Sequence, residues 1–197
     1  MKRRIALLFT ILSGFAVLTP GPVKAFDFGP EVFISVRDQE LAVVNNNETI
    51  AKYRISTSKF GIGDSFGSYK TPSGMLWVCN KIGDRLPSGA VIKSRSATGE
   101  VLNPNAPGRD PIVTRVIWLR GLEGQNQNAY ARCIYIHGTT EERTLGRPAS
   151  FGCIRMRSKD VITLYDVVRI GTHVTISEKP IASLIPVENP NPIAFSN

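Results

Sequence analysis

The 197-residue chain is poor in the residues that staple small folds or hold metals, with three cysteines, two histidines and no C-x-x-C pair. That excludes a disulfide framework, and with so few ligand-type side chains no protein metal site and no cofactor are expected. The missing C-x-x-C also argues against a thiol–disulfide oxidoreductase. Only one long apolar run exists, so a multi-span membrane protein is excluded. Aromatic residues make up 8% and charged residues 20% of the chain, and no basic stripe appears, so nucleic-acid binding is unsupported. Gly61, Gly63 and Gly67 follow a strand-like run but open no helix; they fail the dinucleotide pattern and read as a flexible hairpin tip. No internal repeat is present. A hydrophobic content of 42% over this length is enough for one folded domain that buries roughly two-thirds of its surface.

The apolar run, Ile5 to Leu18, follows Lys2, Arg3 and Arg4 and precedes the small residues Val23 and Ala25. Interrupted by Thr10, Ser13 and Gly14, it falls short of the roughly 20 residues that span a bilayer. It reads as a secretory signal peptide over 1–25, cleaved after Ala25, with no stable transmembrane anchor. Removing it takes away Lys2, Arg3, Arg4 and Lys24 and no acid, so the net charge falls from +8 to +4. In an oxidising compartment an odd number of cysteines leaves at least one thiol free or paired with another chain.

Beyond the leader the alternation of apolar and polar residues predicts strands near 32–36, 41–44, 50–56, 75–79, 112–118, 133–137 and 173–176. Asn45, Asn46 and Asn47 suit a hairpin turn. One helix is expected from Ser158, as cap, to Val168, with Val161, Leu164 and Tyr165 on its apolar stripe. Residues 81–111 read as a loop-heavy insertion of the kind that faces a substrate, and the tail over 179–197 as too proline-rich for regular structure. The expected fold is mostly β with one main helix, a catalytic domain over 31–178.

The chemistry gathers in His137-Gly138-Thr139 and in Ser150-Phe151-Gly152-Cys153-Ile154-Arg155. A cysteine attacks as thiolate, which an imidazole or a cationic neighbour promotes, and His137 and Arg155 are the available groups. His137 closes an alternating strand, so it can project from a rigid element. Cys153 follows a glycine at a turn whose amides can face a developing oxyanion. On residue types alone a cysteine sixteen residues after a histidine is more often a small buried apolar residue than a nucleophile, and Ser150 and Thr139 are equally local backbone caps. Cys79 and Cys133 read as reduced, buried thiols, with a mutual disulfide as the alternative. Cys133 shares strand parity with His137 and is expected in the layer beneath the site.

Taken in order, His137-Gly138-Thr139, Leu145-Gly146, Pro148, Ser150, Gly152-Cys153-Ile154-Arg155-Met156 and Gly171-Thr172, with Thr71-Pro72-Ser73-Gly74 upstream, closely resemble the L,D-transpeptidase family of the YkuD type. The resemblance runs from about Glu31 to Ile176 and implies a β-sandwich or barrel catalytic domain. It implies a cysteine acyltransferase acting on peptidoglycan stem peptides, as donor and acceptor, in the periplasm or cell wall. Cys153 would be the nucleophile, His137 the base and the Gly138 carbonyl the group that orients it. Amides at Gly152 and Cys153 would hold the oxyanion, Arg155 would support the loop or bind a substrate carboxylate, and Ser150 and Thr139 would shape the pocket. An amine acceptor would give a 3-3 cross-link and water a carboxypeptidase; attachment or release of an envelope protein at diaminopimelate is a further alternative. Outside the enzymes, a stem-peptide-binding envelope module would use the same groove. Phe151 departs from the family, whose common form has histidine there.

Overall fold

The structure is a computed structural model that describes residues 29–186. The leader over 1–25 and the tail from 187 onward lie outside the described residues. Ten strands are described: β1 Glu31–Ser35, β2 Glu40–Asn45, β3 Glu48–Ser56, β4 Gly74–Ile82, β5 Ala90–Lys93, β6 Ser96–Val101, β7 Val113–Gly121, β8 Tyr135–Gly138, β9 Ile154–Met156 and β10 His173–Ser177. Two helices accompany them, α1 Ser158–Val167 and α2 Ile181–Leu184. Eight strands run in the order β4-β10-β1-β2-β3-β9-β8-β7, and β7 pairs back onto β4, so the sheet closes into a barrel-like ring. The β5–β6 hairpin joins this ring through β7. Closure removes the open edges that an eight-strand sheet would otherwise expose to other chains.

Alternation along each strand sorts the residues into an inner and an outer layer. Val32 and Ile34 of β1, Leu41 and Val43 of β2, Ile117 and Leu119 of β7, Ile136 of β8 and Ile154 and Met156 of β9 pack in one core, joined by Val161, Leu164 and Tyr165 of α1. Their neighbours in sequence face outward. On β1 and β2 these are Phe33, Ala42 and Val44, covered by Ile181 of α2. On β7 and β8 they are Val116, Trp118 and Tyr135, covered by Ile92 of β5. The hairpin between β2 and β3 turns on Asn46 and Asn47, both left-handed at φ 49° and 64°, as asparagine readily permits.

The mostly β architecture with one main helix agrees with the sequence, and local details differ for physical reasons. Ser158 is the first helical residue rather than the cap, and its N–H donates to Glu142 Oε1 at 3.0 Å, so a distant carboxylate satisfies the helix start. Residues 81–111 are not loop throughout, because Ala90, Val91 and Ile92 are buried as β5. The tail begins with regular structure: Pro180 immediately precedes α2, where its missing N–H loses nothing, and Ile181 donates its own to Asp38 Oδ2 at 2.6 Å. The Gly61–Gly67 segment is pinned rather than a flexible tip, since the buried Asp64 pairs with Arg132 at 2.9 Å and accepts the Asn128 N–H at 2.6 Å. Cys133 falls in the turn before β8, at φ 57°, so Tyr135 and not Cys133 shares parity with His137.

Candidate active site

β8 and β9 lie parallel, with Ile136 opposite Ile154 and His137 opposite Arg155. The isoleucines point into the core, so His137 and Arg155 stand side by side on the outer face. Cys153 precedes β9 and packs with the outer layer around Trp118 and Tyr135. Strand pairing thus gathers on one face groups that are sixteen residues apart in the chain.

The histidine is fixed by its neighbour's backbone. His137 Nδ1 lies 2.8 Å from the Gly138 carbonyl oxygen, and a carbonyl only accepts, so Nδ1 carries the proton and the neutral ring keeps its lone pair on Nε2. Gly138 must be glycine, because a Cβ there would meet the Val113 carbonyl oxygen at 2.7 Å. The cysteine turn is held from three sides. Ser150 Oγ donates to the Cys153 carbonyl at 2.6 Å and accepts the Gly152 N–H at 3.2 Å. Thr71, from the T-P-x-G element, donates its hydroxyl to the Gly152 carbonyl at 3.0 Å. Gly152 adopts φ 122°, a conformation that L side chains rarely take. Its amide is therefore engaged inside the turn by Ser150, which corrects the expectation that it faces an oxyanion. The Cys153 thiol donates to the Cys133 carbonyl, 3.4 Å away.

Arg155 is already paired. Its guanidinium lies 2.8 Å from Asp110 Oδ2 and donates to the Ala149 carbonyl at 3.3 Å. Asp110 also accepts the Thr139 hydroxyl at 2.5 Å and the Thr140 hydroxyl at 3.3 Å. Arg155 thus meets an acid of this chain, Asp110, and a carbonyl of the loop before the cysteine. The buried Thr139 accepts the Glu141 N–H at 3.0 Å as well, so it ties the His137 loop to Asp110. Asp110, Thr71, Asp64 and Arg132 carry the site's support without standing out as individual residues in the sequence. Thr71 alone had a signal, the T-P-x-G element.

Burial dominates the electrostatics. It pushes the His137 imidazole down to about 4, against the Gly138 hydrogen bond and the Asp110 charge, which act upward, and with Arg155 acting downward. It pushes the Cys153 thiol up to about 11, against the Tyr135 backbone hydrogen bond and the charges of Arg155 and Arg132. Near pH 7 both groups rest neutral, a thiol and an unprotonated imidazole on one face rather than a thiolate and an imidazolium. All three cysteines are free and only partly buried. Among the described residues no cluster of His, Cys, Asp and Glu could hold a metal ion, and no helix is long and apolar enough to cross a membrane. A cleft of about 230 Å³ is lined by Phe66, Gly67, Tyr69, Arg132, Ile134, Phe151 and Cys153.

A closed β-ring with a thiol and a backbone-fixed imidazole on its outer face, clamped by a T-P-x-G element, defines a cysteine-centred domain of distinctive build. The chain belongs to the family of L,D-transpeptidase catalytic domains of the YkuD type, whose model matches residues 29–176. Two Bacillus subtilis (strain 168) proteins that carry L,D-transpeptidase names are each 26% identical to it: YkuD over 85% of this chain and 77% of its own length, and YqjB over 90% and 86%. Among solved structures, the L,D-transpeptidase of Xylanimonas cellulosilytica (residues 123–326) superposes with a TM-score of 0.50 at 20% identity, covering 80% of this chain and 65% of that one. L,D-transpeptidase 3 of Mycobacterium tuberculosis, solved with a faropenem-derived adduct, gives 0.50 at 17% identity, covering 76% and 60%. The chain spans less than two thirds of those solved chains, and at such identities the likeness speaks for the fold.

Proposed function

We propose that the protein is a peptidoglycan L,D-transpeptidase whose nucleophile is Cys153 and whose base is His137. The observation that carries this reading is the fixed imidazole: with Nδ1 held by the Gly138 carbonyl, Nε2 is the one ring atom left to take a proton on the face that Cys153 shares. Nε2 removes the thiol proton as sulfur attacks the carbonyl carbon of the L,D peptide bond in a stem tetrapeptide. The tetrahedral oxyanion is held by the Cys153 amide, since the Gly152 amide is engaged by Ser150. The intermediate collapses, the C–N bond breaks, and the imidazolium returns its proton to the departing D-Ala amine, leaving a thioester on Cys153. An amine of a second stem peptide then attacks the thioester, loses its proton to His137 and releases the thiol, giving a 3-3 cross-link.

Neutral resting groups suit this sequence, because the sulfur becomes anionic only when an acyl carbon is present to take the charge. The pattern of Lys2 to Arg4, Ile5 to Leu18 and Val23 to Ala25 supports export to the periplasm or cell wall, with the catalytic domain over 31–178. The test is to incubate the protein with disaccharide-tetrapeptide and identify products by mass spectrometry beside Cys153→Ala. A Cys153-dependent 3-3 dimer with released D-Ala is expected; tripeptide alone would mark a carboxypeptidase, and binding without turnover a stem-peptide-binding module. The faropenem adduct of the structural relative suggests a second probe: a penem or carbapenem should add its mass to the wild type and not to Cys153→Ala.

A further inference from the structure

The rim of the cysteine cleft carries an aromatic surface that the proposed acyl transfer does not use. Phe60, Tyr69 and Phe151 meet with ring centroids 5.8–6.1 Å apart, yet they are 45%, 56% and 55% exposed, and Phe66 beside them is 66% exposed. Large apolar side chains scattered singly over a surface need no explanation, but four around one cleft do. Tyr69 sharpens the point. Its backbone is left-handed at φ 56°, where an L side chain is strained and glycine would sit freely. An exposed ring recovers little packing in return.

The loop is nevertheless held in this shape. Ser58 Oγ donates to the Tyr69 carbonyl at 2.5 Å, Arg132 donates to the Lys70 carbonyl at 2.6 Å, and Thr71 is clamped to Gly152. The rings are thus displayed by a pre-organised scaffold rather than left over from a loose loop. Lys59 adds a cation, its Nζ 4.3 Å from the Phe151 ring centroid and 5.3 Å from that of Phe60.

We propose that this rim is a binding platform for the amino-sugar rings that carry the stem peptide; the proposal rests on the transpeptidase reading for the identity of the ligand. Three observations converge on it. The surface is continuous with the cysteine site, since Phe66, Tyr69 and Phe151 line the same cleft as Cys153. That cleft, at about 230 Å³, is smaller than the roughly 300–1,000 Å³ that encloses a drug-sized ligand, which leaves the surrounding surface to receive a disaccharide attached to a bound peptide. A pyranose ring presents a face of C–H groups that rests on the negative face of an aromatic ring, while its hydroxyls stay in water. Partly exposed rings beside a lysine suit a ligand that offers a C–H face to the rings and hydroxyls to water.

The test compares disaccharide-tetrapeptide with the free tetrapeptide on the wild type, on Phe60→Ala/Tyr69→Ala, and on Ile170→Ala as an exposed apolar control away from the rim. Phe151 is left intact because it adjoins the cysteine turn. Preference for the sugar-bearing substrate in kcat/KM is expected to be about tenfold or more in the wild type, to fall to about one in the double variant and to persist in Ile170→Ala. Binding of the same two ligands is measured by calorimetry in a Cys153→Ala background, with the same preference and the same loss expected. If neither substrate turns over, the acyl-transfer reading fails while calorimetry still decides the platform. A wild type that binds both ligands equally, or a double variant that keeps the preference, would overturn the proposal. Binding to anionic phospholipid vesicles that the double variant loses, with the sugar preference intact, would assign the rim to a membrane surface instead.

Discussion

Two outward-facing patches of the same β-ring have opposite fates. On β1 and β2 the outer residues are Phe33, Ala42 and Val44, and α2 covers them with Ile181. On β8 and β9 they include Tyr135, His137 and Arg155, and Cys153, just before β9, lines an open cleft. The first patch is sealed by apolar burial, with the Ile181 N–H anchored on Asp38, and its outer residues Phe33, Ala42 and Val44 carry no reactive group. The second buries an imidazole and the Arg155–Asp110 ion pair, and so needs the Gly138 carbonyl and the Thr139 and Thr140 hydroxyls to satisfy them. Stability and chemistry are thus assigned to different walls of one ring, and each can be broken separately.

The largest effect is expected at the reactive wall. Cys153→Ala should abolish D-Ala release, by at least about a thousandfold, and leave the thermal unfolding midpoint close to the wild type. His137→Gln should lower kcat by about 10²–10⁴-fold, because the thiol then has no base on its face. Asp110→Asn leaves Arg155 in a largely buried position without its countercharge, and should cost about 3 kcal/mol in urea unfolding along with about 10–100-fold in kcat. A readout separates that effect from simple loosening: Asp110 acts upward on His137, so the acid limb of the pH–rate profile should move to lower pH in Asp110→Asn.

The sealed wall should behave differently. Ile181→Ala removes the buried contact of α2 and should lower stability by about 2 kcal/mol with kcat for the same substrate unchanged within twofold. A kcat loss as large as that of Asp110→Asn would show that the two walls are coupled.

Per pH unit the smallest effects lie in pH linkage, at most about 1.4 kcal/mol for one group. His137 is pushed from 6.5 to about 4, so between those values the unfolded chain binds more protons and stability falls as pH drops, by up to about 3 kcal/mol in all. Cys153 is raised from 9.0 to about 11, so the unfolded chain releases its proton first and stability falls as pH rises through that window. Urea titrations at pH 7, 5 and 4 should show the acid-side loss shrinking in His137→Gln, and titrations at pH 8.5 and 10 the alkaline loss shrinking in Cys153→Ala.

Much of this molecule was legible in its sequence because the signals are local. Period-two alternation marked seven of the strands, two left-handed asparagines made a turn where three stood in a row, and the apolar stripe of α1 is written at helical spacing. The order of His137, Gly138, Ser150, Gly152, Cys153 and Arg155 marked the family and carries the proposed site, since strand pairing and tight turns constrain residues within one short stretch of chain. What depends on residues far apart in the chain was decided by the tertiary structure. Asp110 lies in a Gly/Pro-rich loop with nothing to mark it until folding sets it against Arg155 and Thr139. The docking of α2, the pinning of Asp64 by Arg132 and the engagement of the Gly152 amide by Ser150 are likewise contacts that no periodicity encodes. The protonation states follow the same rule. A sequence names an imidazole and a thiol, but only the packing around His137 and Cys153 removes enough water to drive the one down and the other up, because the free energy of a charge depends on everything that surrounds it.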